Sequence, residues 1–73
     1  MIKTVLQIDG MMCPMCESHI NDVIRREFNV KKVKSSHLKG ETVILSDAPL
    51  DEKKLVNTVE KTGYRVTGTE KSE

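Results

Sequence analysis

From the second residue the side chains alternate between two faces. Ile2, Thr4, Leu6 and Ile8 fall on one face and Lys3, Val5 and Gln7 on the other, which predicts a half-buried strand over Ile2 to Ile8. Asp9-Gly10 ends it. From Pro14, a residue suited to the first position of a helix, the period lengthens: Ile20, Val23, Ile24 and the Glu27-Phe28 pair complete about four helical turns. Asn21, Asp22, Arg25 and Arg26 then face water. Val30 to Lys34 and Thr42 to Ser46 read as strands, with Ser35 to Glu41, containing Gly40, as the hairpin turn between them. Asp47-Ala48-Pro49 breaks the second of these. Leu50, Leu55, Val56 and Val59 mark a second helix that starts near Asp51, carries acidic residues in its first turn and closes at Gly63. Tyr64 to Thr69 makes a last short strand, and Glu70 to Glu73 is a polar tail with nothing to bury.

The order strand, helix, strand, strand, helix, strand is that of an α+β, ferredoxin-like βαββαβ sandwich, two helices on one face of a four-stranded antiparallel sheet. The chain reads as one domain over residues 1–69 with a polar tail over 70–73. With a right-handed crossover, three connections share one end of such a fold: the loop after the first strand, the hairpin around His37, and the segment Thr62 to Tyr64.

Composition narrows the classes. Seventy-three residues have room for one small core, and with one Phe, one Tyr and no Trp that core must be built from Ile, Val and Leu. The net charge of +1 and the near absence of aromatic side chains argue against nucleic acid as a partner. The basic residues Lys31, Lys32, Lys34, Lys39, Lys61 and Arg65 read as a solvated exterior, those near the cysteine end being able to attract an acidic partner face. No apolar run approaches the roughly 20 residues that cross a bilayer, and Met1 leads into a strand pattern, so a cytoplasmic protein without membrane contact is the expectation.

Cys13 and Cys16, the only cysteines, straddle the predicted strand-to-helix turn. Orphan N–H groups and the positive end of the helix dipole favour thiolates there. Two such thiolates share a soft ion or exchange a disulfide; a bridge closing so short a loop would stabilise the fold little and would be mainly a redox device. A closed zinc site needs four ligands, which this chain offers only by recruiting both His19 and His37. An open pair of thiolates suits Cu(I), which accepts low coordination numbers; Zn(II), Cd(II) and Hg(II) are the other ions it accommodates. Met11, Met12 and Met15 read as packing residues before ligands, Met11 as the buried one. His19 reads as a solvated helix residue and His37 as an exposed turn residue, each with a third-ligand role as the sharper alternative. Tyr64 reads as a core aromatic or as a hydroxyl donor to a thiolate.

Gly10-Met11-Met12-Cys13-Pro14-Met15-Cys16 resembles the Gly-Met-x-Cys-x-x-Cys signature of heavy-metal-associated domains, found in small copper chaperones and at the amino ends of copper-transporting P-type ATPases. The likeness extends over nearly the whole chain, including Lys61-Thr62-Gly63-Tyr64 at the end of the second helix. It implies Cys13 and Cys16 as metal ligands, Met11 as a buried residue shaping the loop, and Tyr64 as a neighbour packing near the thiolates. It also implies a metal-transporting P-type ATPase or a metal-responsive regulator as partner. The resulting expectation is a monomeric carrier of one Cu(I), not an enzyme, with a metal-bridged dimer as the one route to association. The alternatives are a Zn(II)- or Hg(II)-binding domain of a transporter and a glutaredoxin-like thiol-disulfide oxidoreductase. Against the oxidoreductase, Pro49 falls between a strand and a helix start, at the end opposite the cysteines.

Overall fold

A computed structural model of the chain describes residues 1–12 and 14–72; Cys13 and Glu73 lie outside the described residues. The elements run β1 (Ile2–Asp9), α1 (Pro14–Glu27), β2 (Lys32–Ser36), β3 (Glu41–Ser46), α2 (Glu52–Glu60) and β4 (Arg65–Ser72). The strands form one sheet in the order β2-β3-β1-β4, and every neighbouring pair is antiparallel. This is the βαββαβ sandwich that the order of elements predicts.

Alternation on β1 turns Leu6 and Ile8 inward, where they meet Ile20 and Ile24 of α1, Val33 and Ile44 of the hairpin strands, and Leu55 and Val59 of α2 in one buried cluster. Helix α1 contacts β2, α2 contacts β4, and the two helices contact each other, which closes the cluster on one face of the sheet. Asp51 starts α2 by accepting hydrogen bonds on Oδ1 from the backbone N–H groups of Lys53 (3.0 Å) and Lys54 (3.2 Å), two of the orphan donors of a helix start. Phe28, half-buried beyond the end of α1, packs against the cluster and carries Lys54 Nζ at 5.6 Å from its ring centroid.

Two strands differ from the sequence reading by more than one residue, for reasons visible in the hydrogen bonds. The strand expected over Val30 to Lys34 is β2, two residues later, because polar Ser35 finds partners inside the fold. Its hydroxyl donates to Asn21 Oδ1 at 2.7 Å and lies 2.9 Å from the Thr42 hydroxyl. A buried serine in a strand costs little once it is bonded in this way. The last strand runs on to Ser72: Glu70, Lys71 and Ser72, read from the sequence as tail, pair with Val5, Thr4 and Lys3. Pairing uses backbone groups, so an exposed edge of charged residues extends a ladder that hydropathy alone would end. Thr67 is the extra residue of a bulge, since Gln7 faces Gly68 while Ile8 faces Val66.

A second polar rung lies above the Asn21–Ser35 bond. Glu17 Oε2 accepts a hydrogen bond from the backbone N–H of His37 at 2.7 Å and meets the His37 ring Nδ1 at 2.5 Å. Four residues along a helix rise about 6 Å and two along a strand about 6.6 Å, so Glu17 and Asn21 on α1 match His37 and Ser35 on the hairpin. The rungs fix the first turn of α1 against the tip of the β2–β3 hairpin. The His37 backbone N–H, followed by its ring, holds the Glu17 carboxyl below the ordinary carboxylate range.

Thr4 is fully buried on β1, and among the described residues its Oγ1 has no hydrogen-bond partner. Replacing it by valine keeps the shape and removes the unmet polar group, so Thr4→Val raises stability by about 1 kcal/mol in urea denaturation; a loss instead would mean that the hydroxyl is bonded in solution. Glu17 has its pKa depressed by folding, so its contribution is present in full above the unfolded carboxylate value of about 4.3 and is lost as pH falls through the lower folded value. In reduced, metal-free protein, Glu17→Gln is therefore less stable than wild type at pH 7, and the difference shrinks as pH falls below the unfolded carboxylate value of about 4.3. A pH-independent difference would remove the carboxylate from the account.

Candidate metal site

The direction of the chain brings three connections to one end. Strand β1 runs up to Asp9, β2 runs up beside it through its shared partner β3, and α2 runs up to Lys61. The segment between β1 and α1, the turn at residues 37–40 and the segment between α2 and β4 therefore meet, as the topology predicts. Two contacts tie them together. Ile8 N–H donates to the Gly40 carbonyl at 2.7 Å, and a Cβ at Gly40 (φ +66°) would stand 3.3 Å from the Ile8 carbonyl oxygen. Glycine is needed there on both counts. Gly10 has φ +96°, which lets the chain turn out of β1, and Tyr64 Cδ1 lies 3.8 Å from where its Cβ would be.

Within this end, Met11 is buried at 4% exposure in the core cluster, whereas Met12 and Met15 are exposed at 82% and 81%. The loop thus drives one methionine down as an anchor and leaves the two beside it at the surface. Pro14 opens α1 where the missing N–H would have had no partner. Cys16 sits in the first turn, half-buried and packed against the core, where the helix dipole favours an anion. Cys13 lies outside the described residues. Tyr64, half-buried against the same cluster, approaches from the α2–β4 side. The exposed His19 ring meets it edge to face, with centroids 6.1 Å apart at 71°.

His37 corrects the sequence reading of an exposed turn histidine. It is half-buried, at 27% side-chain exposure, and bound to Glu17 at 26%. Glu17 is the residue that reading by sequence passed over. Its signal was present as the acidic residue in the first turn of α1, but such a residue reads as a helix-dipole partner until the fold brings a hairpin beside it. Among the described residues no group of three or more His, Cys, Asp or Glu side chains is arranged to hold a metal ion, and no helix is long and apolar enough to cross a membrane.

Comparison with known proteins gives a consistent picture. No curated protein matches the chain. Several solved structures share the fold. The CopZ metallochaperone superposes with a TM-score of 0.79 at 20% identity, over 89% of this chain and 98% of that one. The N-terminal domain of ZntA in its Zn(II) form gives 0.80 at 18% identity, over 89% and 88%. The yeast copper transporter domain Ccc2a, solved in apo and Cu(I)-loaded states, gives 0.80 at 22% identity, over 100% and 97%. At such identities the likeness is one of fold. Residues 5–65 match the model of the heavy-metal-associated domain, and the chain belongs to that family.

Proposed function

We propose that this chain is a cytoplasmic Cu(I) carrier that binds one ion between the thiolates of Cys13 and Cys16 and hands it on by ligand exchange. The observation that carries the reading is the position of Cys16: a soft donor in the first turn of a helix, at the mouth where three connections meet. Family membership supports soft-metal binding, and an open pair of thiolates leaves the ion accessible to an incoming sulfur. In the exchange a partner thiolate bonds to the ion before one of the two carrier thiolates leaves, so the metal passes through a three-coordinate complex with no change in its oxidation state. Only metal–sulfur bonds form and break, and no catalysis is required. Met11 shapes the loop from beneath, and Tyr64 packs beside the thiolates.

The proposed partner is the cysteine-bearing domain of a metal-transporting P-type ATPase, or a metal-responsive regulator. Of the four large apolar side chains that are exposed among the described residues, Met12, Met15 and Leu38 belong to the cysteine end. Apolar surface concentrated around a site is a mark of an interaction face, and a small one suits a brief encounter. The carrier works as a monomer, and copper shared between two copies would be its route to a dimer.

The reading is tested by anaerobic titration of the fully reduced chain with Cu(I) against a competing chelator, repeated with Cys13→Ser and Cys16→Ser and with Zn(II). One Cu(I) binds per wild-type chain, and either substitution weakens it by more than the roughly 10–100-fold that loss of an outer contact costs a metal site. Weak copper binding, or binding indifferent to both substitutions, would overturn the assignment.

A further inference from the structure

Glu17 follows Cys16 directly in the first turn of α1, and it is a hard oxygen donor beside a soft site. Zn(II) prefers four ligands and accepts oxygen, nitrogen and sulfur together, so a carboxylate free to reach the ion would add a ligand for it. Cu(I), satisfied by few soft ligands, gains little from it. In this fold the carboxylate is already engaged: Oε2 takes the backbone N–H of His37 at 2.7 Å and the ring Nδ1 at 2.5 Å. The same contact engages Nδ1 of His37, a borderline donor that the hairpin brings to this end. The pair forms no larger group of potential ligands with the described residues around it.

We propose that the Glu17–His37 pair is a selectivity device, in which His37 holds the Glu17 carboxylate off the cargo and so keeps Zn(II) from competing with Cu(I). This deepens the carrier reading and rests on it. Both residues act by position, and neither is a ligand in the wild-type chain. The lower rung makes the idea separable from folding. Asn21 still meets Ser35, and Ser35 still meets Thr42, when His37 is changed, so α1 keeps its seat on the hairpin. Without the ring, Glu17 retains a single backbone N–H at a part-exposed position, a contact that a divalent ion displaces.

The test uses the full reduced chain under anaerobic conditions, with Zn(II) and Cu(I) affinities measured by chelator competition for wild type, His37→Ala, Glu17→Gln and the double variant. His37→Ala binds Zn(II) about tenfold tighter, the scale on which contacts around a ligand set act, while its Cu(I) affinity stays within about twofold. The double variant returns Zn(II) affinity to the wild-type value, which a general loosening of the helix would not do. As a separate readout, the Glu17 carboxylate carbon of His37→Ala shifts in NMR on Zn(II) addition, and that of wild type does not. Unchanged Zn(II) affinity in His37→Ala, or a gain that survives in the double variant, overturns the proposal. If wild-type copper binding still depends on both cysteines, the carrier reading survives that result; if it does not, both fall.

Discussion

Burial of one face of α1 is the constraint on which the rest of the structure depends. Ile20 and Ile24 are at 1% and 0% exposure in the cluster they share with Leu6 and Ile44, and a chain this short has no second core to hold the helix another way. Fixing those two positions fixes the helix one turn earlier, where Cys16 packs against the same cluster. The first turn is thus anchored from below by apolar contact and from the side by Glu17 and Asn21, while its N-terminal end stays directed at the surface. A rigid support beneath an open end is what a site needs if its ion must be held and then released.

Stability and access pull in opposite directions in so small a domain. Met11 descends into the core and secures the loop, yet its neighbours Met12 and Met15 remain at the surface. The apolar area they leave in water is stabilisation forgone, and it is the face that the proposed transfer encounter would cover. Glycines at positions 10 and 40 serve the same compromise. Each lets the backbone turn sharply where a side chain would strain it, and so keeps three connections close without a larger core to gather them.

Most of the framework was legible from periodicity. Alternation along Ile2 to Ile8 and the 3.6-residue spacing of Ile20, Val23 and Ile24 are strong signals because each reflects which face is buried. Order and direction of the elements then placed the cysteine loop, the hairpin and the Tyr64 segment at one end. The readings that shifted share one cause: they depended on polar groups whose partners lie far along the chain. Ser35 belongs to a strand because Asn21, fourteen residues earlier, accepts its proton, and His37 is half-buried because Glu17 lies beside it. Residues 70–72 extend β4 because β1 offers backbone groups to pair with, which side-chain polarity does not report. At the candidate site, the cysteine spacing pointed to soft-metal chemistry as an expectation, but the Glu17–His37 contact emerged only when helix and hairpin were brought together.

The central claim is that sulfur alone holds the ion this chain carries. X-ray absorption at the copper edge of the reduced, Cu(I)-loaded protein tests it most directly, because sulfur and lighter scatterers are distinguished around the metal itself. The account predicts a low-coordinate copper surrounded only by sulfur, with Glu17, His19 and His37 contributing nothing. Nitrogen or oxygen bound to the copper would contradict it.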